Sequence, residues 1–363
     1  MSPVSILVAI AVFAILVIVH EFGHFIVAKR SGVRVDEFAI GFPPRIWSVK
    51  RGETRYSINA LPLGGYVLMP GENGQMLDEK GNVDPRTFAA QPAAKRAAIL
   101  VAGVTMNLIL AWVVYMGLFA ATGIALDPAH SPAVVGLIEK GTPAEQALKV
   151  GDHIISVDGA TVTNVQDTQA AIKNAVKNDH SAKDVNDVPI TLVIVRNGKQ
   201  KTLQVDARRN PPPNQGQIGF GFQQQFNHIS IIQLPGAALN QVFVGNFQLV
   251  GDGIHQVLVG AIKPQDAVTG PVGIVQVIST ASSIADLFYL MAFLSWNLAV
   301  FNLLPIPGLD GGRLLLVGVE VLRRGRRLAP EREALINLVG LGFLLSLILV
   351  FTVNDILRIV NGQ

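Results

Sequence analysis

The sequence predicts an α-helical polytopic membrane protein: four transmembrane helices, a membrane-associated β-region at one face, and one water-soluble α/β domain on the other side. Three observations carry this reading. Half of the 363 residues are hydrophobic and only 15% are charged, and the mean hydropathy is +0.42. Four apolar runs, Val4–Ala28, Ala97–Thr122, Leu287–Leu304 and Leu335–Val353, approach or exceed the roughly 20 residues that cross a hydrocarbon core. A long polar stretch separates the second run from the third. The chain is accordingly divided into transmembrane helix 1 (1–28), a loop with a β-hairpin (29–96), helix 2 (97–122), the soluble domain (123–210), a linker with interfacial helices (211–284), helix 3 (285–312), a second loop (313–334) and helix 4 (335–355).

Helix 1 has neither a basic leading segment nor a small-residue cleavage site, so it reads as a retained span rather than a signal peptide. It also carries His20-Glu21-Phe22-Gly23-His24. Residues four apart share a helix face, so both imidazoles can reach one ion, and Glu21 stands beside them to take a proton from water there. In an apolar span these groups are costly unless coordinated, paired or set in a wet cavity. The chain contains no cysteine, which excludes thiolate ligands, disulfides and a cysteine nucleophile.

The loop after helix 1 carries Lys29, Arg30, Arg34, Arg45, Lys50, Arg51, Arg55, Lys95 and Arg96, and the loop after helix 3 carries Arg313, Arg323, Arg324, Arg326, Arg327 and Arg332. The positive-inside rule makes both cytoplasmic and puts the soluble domain outside. The Arg323–Arg327 cluster is read as a topology or anionic-lipid signal, and no nucleic acid is expected as a partner. Within the first loop, Val33–Phe42 and Ile46–Leu61 alternate like short strands, with a turn at Arg51-Gly52 and an end at Gly64-Gly65. A sheet edge at the membrane face can accept an extended chain as a further strand.

Topology selects the third ligand. His130, His153, His180, His228 and His255 all lie in the middle region on the outer side, and Asp286 and Asp355 fall at the outer ends of their spans. Asp310, just past the third run, comes to the depth of His20 and His24. Two histidines and one carboxylate leave a fourth position open, as in catalytic zinc sites. Pro305 and Pro307 cannot continue a regular helix, so the backbone before Asp310 is irregular.

In the soluble domain, Val134–Ile138, His153–Val157, Ile190–Arg196 and Leu203–Asp206 read as strands, the last two joined by the hairpin signal Asn197-Gly198. Pro143–Leu148 and Val165–Val176 read as helices, Lys177–Asp187 as a polar loop, and Arg208–Gly221 as a linker that includes Pro211–Pro213. Gly151-Asp152-His153-Ile154 with Val157-Asp158-Gly159 resembles a PDZ domain, a module that binds extended chains at a sheet edge. Ser230–Ile262 is apolar enough to lie on a membrane.

His20–His24 together with Asn302-Leu303-Leu304-Pro305-Ile306-Pro307-Gly308-Leu309-Asp310-Gly311-Gly312 closely resembles the signature pair of the site-2 protease family of intramembrane zinc metalloproteases. Gly270–Ile274 and Ala102–Asn107 are also similar to family stretches, although Val104 stands where the family usually has proline. The resemblance implies a bacterial, single-PDZ member of the sigma-factor-regulating type in the cytoplasmic membrane. It would bind Zn2+ through His20, His24 and Asp310 and use Glu21 as catalytic base. Asn302 resembles a family position that contacts substrate, Asn297 matches a family asparagine and is read as a second substrate contact, and Pro305 and Pro307 line the same segment. Gly41-Phe42-Pro43 stands where many members have Gly-Phe-Gly, and Pro43 removes one backbone donor there. The implied substrates are pre-trimmed single-span proteins, such as anti-sigma factors or signal-peptide remnants. The competing reading is a non-catalytic membrane PDZ protein that binds substrates and keeps a structural metal.

Overall fold

A computed structural model describes residues 2–72, 84–179, 187–212, 215–260, 269–281 and 283–360. The chain separates into two compact units, Met1–Phe119 with Ile231–Gln363, and Ala120–Ser230.

In the first unit, helix α1 spans Pro3–Arg30; the Ser2 side chain caps its start by accepting from the Ser5 amide. Strands β1 (Glu37–Arg51) and β2 (Thr54–Leu68) follow, then α2 (Ala93–Thr122). The two strands fold back on each other to make more than a hairpin. Arg45–Arg51 pairs antiparallel with Thr54–Asn59 around the turn at Gly52, while Glu37–Ile40 pairs with both Arg55–Ile58 and Gly65–Leu68. The segments therefore lie in the order 45–51, 54–61, 37–42, 65–68, and the registers Glu37↔Arg55 to Ile40↔Ile58 run in one direction. Among the described residues no strand covers the outer side of Gly65–Leu68. Gly41, with φ +82°, turns the first strand where a Cβ would stand 2.6 Å from the Leu61 carbonyl oxygen.

A buried cluster ties this sheet to the helices. Ala28 at the end of α1, Val33 and Val35, Val67 and Met69, Phe88, and Ile99 and Leu100 of α2 pack together with Val317. The loop arginines brace the same region: Arg96 donates to Glu320 at 2.6 Å, and Glu320 also accepts from Arg327. Burial alone would raise the Glu37 carboxyl, but donors from Ser57 and Arg45 hold it below the usual range.

The second unit contains β3 (Ile124–Ala125), β4 (Val135–Ile138), α3 (Pro143–Ala147), β5 (His153–Val157), β6 (Ala160–Thr161), α4 (Val165–Asn178), β7 (Asp187–Arg196), β8 (Lys199–Arg208), β9 (Phe220–Phe222) and β10 (Phe226–Asn227). Its main sheet has the order β6-β5-β7-β8, with the β7–β8 hairpin closing at Asn197 and Gly198. Val135, Ile154, Val157, Ile172, Ile190, Leu192, Ile194 and Val205 form its core. The expected linker differs from the structure. Phe220–Phe222 pairs with β4 and Phe226–Asn227 with β3, so this unit runs on to Ser230. Alternating aromatic and small residues in Phe220-Gly221-Phe222 satisfy β4's edge, which outweighs the Pro and Gly content that read as a linker. Residues 180–186, which carry most of the expected polar loop and His180, lie outside the described residues, as does Pro213.

Beyond it the first unit resumes. Leu234–Asn240 (α5) passes through a π-helical turn at Gln241–Gly245 into α6 (Asn246–Leu258). Tyr115 donates to the buried Asn246 side chain at 3.0 Å. Then come α7 (Pro271–Thr280), α8 (Ile284–Leu303), α9 (Asp310–Leu322) and α10 (Pro330–Val360). Asp355 of α10 accepts from the Gly270 and Gly273 amides at 3.2 and 2.7 Å, capping α7, which packs against α1. Among the described residues, four helices are long and apolar enough to cross a membrane: Pro3–Arg30, Ala93–Thr122, Ile284–Leu303 and Glu331–Val360.

The expected third span, 285–312, is shortened. Its helix ends at Leu303, and Asp310 starts a new helix that occupies part of the expected 313–334 loop. Pro305 and Pro307 lack the amides a helix interior needs, so the helix stops before them and a new one begins beyond them.

Candidate active site

His20 and His24 lie one turn apart on α1 and are 7% and 6% exposed. Asp310 reaches them from the first position of α9. His20 Nε2 lies 3.0 Å from Asp310 Oδ2, His24 Nε2 lies 3.1 Å from the same oxygen, and the two Nε2 atoms are 3.1 Å apart. Three potential ligand atoms thus converge on one point.

The sequence explains how Asp310 gets there. Gly308 takes φ +91°, which reverses the chain after Pro307. Gly311 and Gly312 then let α9 start against the carbonyls of Leu303, Leu304 and Ile306, where any Cβ would collide. Gly340 gives α10 similarly close approach to Pro307.

Helix α2 shapes the opposite wall. His24 Nδ1 lies 2.8 Å from the Ile99 carbonyl oxygen, so its N–H donates there and its Nε2 lone pair faces the convergence point. Gly103, one turn on, stands against both rings: a Cβ would come 2.7 Å from His24 Cε1 and 2.8 Å from His20 Cε1. Asn107, another turn on, is fully buried with its amide 3.3 Å from His20 Nδ1, and its backbone carbonyl accepts from Ser295 of α8. In the sequence this stretch stands out only for its family resemblance, and nothing there assigns Gly103 or Asn107 a part. The available signal was spacing, since Ile99, Gly103 and Asn107 repeat every four residues as His20 and His24 do.

Glu21 is half-buried beside the histidines. A Cβ built at Gly65, on the open edge of the sheet, would lie 3.5 Å from both Glu21 Cγ and Val17 Cγ1. The strand edge and the carboxylate are therefore neighbours. Gly41 and Phe42 lie on the same sheet: the Asn59 amide donates to the Gly41 carbonyl at 2.9 Å, and the Phe42 ring stacks on Tyr66. The expected substrate contacts are less closely grouped. Asn302 is half-buried at the end of α8, Pro305 and Pro307 are exposed, and the Asn297 amide donates back to the Phe293 carbonyl of its own helix at 3.0 Å.

The donor set fits zinc. Bonds of about 2.0–2.1 Å in a tetrahedron separate ligand atoms by roughly 3.3 Å, close to the 3.0–3.1 Å found here. An ion pair alone would not require both Nε2 atoms to turn toward each other.

A membrane-spanning chain with two helical histidines and a carboxylate gathered at one point defines a metalloprotease of the intramembrane class. Comparison with known proteins agrees: residues 8–347 match the model of peptidase family M50. The "Regulator of sigma-W protease RasP" of Bacillus subtilis is 29% identical over 98% of this chain and 99% of its own length. The "Zinc metalloprotease RasP" of Geobacillus kaustophilus is 30% identical over 97% of each. The chain belongs to peptidase family M50, the site-2 protease family. It is a multi-pass membrane metalloendopeptidase with zinc as its metal.

Proposed function

We propose that this protein hydrolyses peptide bonds inside the transmembrane segments of single-span membrane proteins already shortened by another protease. His20, His24 and Asp310 hold the zinc and Glu21 moves the proton. The convergence of the two Nε2 atoms and Asp310 Oδ2 within 3.1 Å carries this reading, because it joins residues 290 positions apart on helices that an apolar fold must otherwise keep free of charge.

When bound, zinc polarises the scissile carbonyl and makes water a usable nucleophile near neutral pH. Glu21 accepts the proton from the attacking water and returns it to the leaving amine. A helical substrate hides its carbonyls in its own hydrogen bonds, so it must be drawn into an extended form. The open edge at Gly65–Leu68, next to Glu21, favours addition of the substrate as another strand. The exposed Phe42, Ile46, Trp47 and Leu61 suit a sheet lying at a membrane face. Asn302 contacts the substrate from the other side, and Pro305 and Pro307 keep the segment before Asp310 open; Asn297, bonded within its own helix, is the weaker contact.

The Ala120–Ser230 unit is a PDZ-like domain on the extracytoplasmic side of a bacterial cytoplasmic membrane, and the Arg-rich loops are cytoplasmic. The sigma-W regulation named for the Bacillus relative favours anti-sigma factors over signal-peptide remnants as substrates. Purified wild-type protein should hold about one zinc per chain. Glu21→Gln should keep that zinc and stop cleavage of a co-expressed substrate, whereas Asp310→Ala should lose the metal. Wild-type cleavage by Glu21→Gln, or full zinc in Asp310→Ala, would overturn these assignments.

A further inference from the structure

The two histidines are held from behind by different means. His24 Nδ1–H donates to the Ile99 backbone carbonyl, which places its proton on Nδ1 and leaves Nε2 free for a metal. Among the described residues, His20 has no such carbonyl. Its Nδ1 faces the Asn107 side chain at 3.3 Å, through Nδ2. An amide N–H donating there would place the imidazole proton on Nε2, the atom that must be free to bind the ion. Asn107 Oδ1, meanwhile, is buried with no partner among the described residues.

A half-turn about the last side-chain bond of Asn107 exchanges the two atoms. The oxygen then accepts from His20 Nδ1–H, the amide nitrogen takes the place the oxygen leaves, and Nε2 is freed toward Asp310 and His24. The residue is fixed well enough to do this. It is fully buried, its backbone oxygen is held by Ser295 at 2.8 Å, and it stands two turns from Ile99 on α2, as the antiparallel pairing of His24 with Ile99 and His20 with Asn107 requires.

We propose that Asn107 is a positioning residue for zinc binding, its amide oxygen accepting from His20 Nδ1–H so that His20 presents Nε2 to the metal. This rests on His20 being a ligand, and it adds a residue that touches neither metal nor substrate. Loss of such an outer partner weakens metal binding by about tenfold to a hundredfold.

The test uses the full chain in detergent and reads zinc affinity by chelator competition, with the melting temperature of the metal-free protein as the folding control. Asn107→Ala and the near-isosteric Asn107→Leu should each bind zinc at least about tenfold more weakly, whereas Asn107→Asp, which keeps an acceptor, should stay within a few-fold of wild type. A leucine variant with wild-type affinity would overturn the proposal, as would an aspartate variant as weak as the leucine one. If Asn107→Leu does not fold, histidine nitrogen NMR of wild-type zinc protein decides: His20 should show metal on Nε2 and a proton on Nδ1, and metal on Nδ1 would refute the assignment. His20→Ala separates this from the parent reading. Full zinc in that variant removes His20 from the site, whereas zinc loss there with no effect of Asn107→Leu rejects Asn107 alone.

Discussion

Gly103 shows how little freedom the site leaves. Its missing side chain is what allows α2 to lie against both imidazoles, and a methyl group would meet ring carbons at 2.7 and 2.8 Å. Neither ring can retreat, because each Nδ1 is engaged from α2. Gly103→Ala is therefore expected to lower zinc affinity by about tenfold or more, in keeping with an overpacking cost of about 1–3 kcal/mol. Zinc titration of the folded variant measures it, and unchanged affinity would mean that α2 can shift away.

Asp152 contributes a pH dependence to the stability of the Ala120–Ser230 unit. Its side chain is 1% exposed and accepts from Arg196 Nε and Nη2 at 2.7 and 2.6 Å and from the Lys149 amide at 2.7 Å. Burial alone would raise the carboxyl, but these donors hold it below the ordinary aspartate range. A depressed value in the folded state gives stability that is fully present above the unfolded value, about 3.9, and is lost as pH falls through the folded one. Asp152→Ala should cost this unit about 3 kcal/mol near pH 7, and the gap to wild type should narrow below about pH 4. Protection of the His153–Val157 amides from hydrogen exchange reports it; a gap constant with pH would remove Asp152 as the cause.

Among the elements, the doubled sheet matters most. Its middle segment, Glu37–Ile40, is satisfied on both sides, so the remaining pairing capacity beside α1 lies on the outer side of Gly65–Leu68. Gly65 lets that edge approach Glu21, and a Cβ there would meet the Ala39 carbonyl oxygen at 2.8 Å. Gly65→Ala should displace the edge and slow cleavage by about tenfold or more, since small misplacements of a reacting group are costly. Zinc content should not change, because no proposed ligand touches Gly65. Cleavage at the wild-type rate would argue that substrate enters elsewhere.

At the scale of the whole molecule, the absence of native cysteine lets single cysteines report topology. Asn197→Cys should react with an impermeant reagent in intact cells and Arg324→Cys should not; the reverse pattern would invert the protein. The Ala120–Ser230 unit offers a deletion test. Because Ile124–Ala125 pairs with Phe226–Asn227, deleting Pro128–Gln223 and joining the ends with a Gly-rich turn keeps a short hairpin at the base. If the unit filters substrates, the deletion should retain zinc and cleave untrimmed substrates as well. If it recruits trimmed chain ends, cleavage of trimmed substrate should fall and nothing new should be cut.

The sequence alone determined whatever depends on local pattern. Apolar runs of spanning length, the four-residue repeat of His20 and His24, the Asn197-Gly198 hairpin and the helix-breaking Pro305 and Pro307 are each legible because their physics acts over a few residues. Asp310 could be selected by excluding other ligands, but its position could not be read as a distance. Only the tertiary structure decided that α8 stops at Leu303 and that glycines at 308, 311 and 312 fold Asp310 back onto α1. It likewise decided that Glu37–Ile40 pairs twice, that Phe220–Phe222 completes β4's sheet instead of forming a linker, and that Ile99, Gly103 and Asn107 back the histidines. These are contacts between segments far apart in the chain, where close approach depends on what both partners lack or offer, and no local periodicity records that.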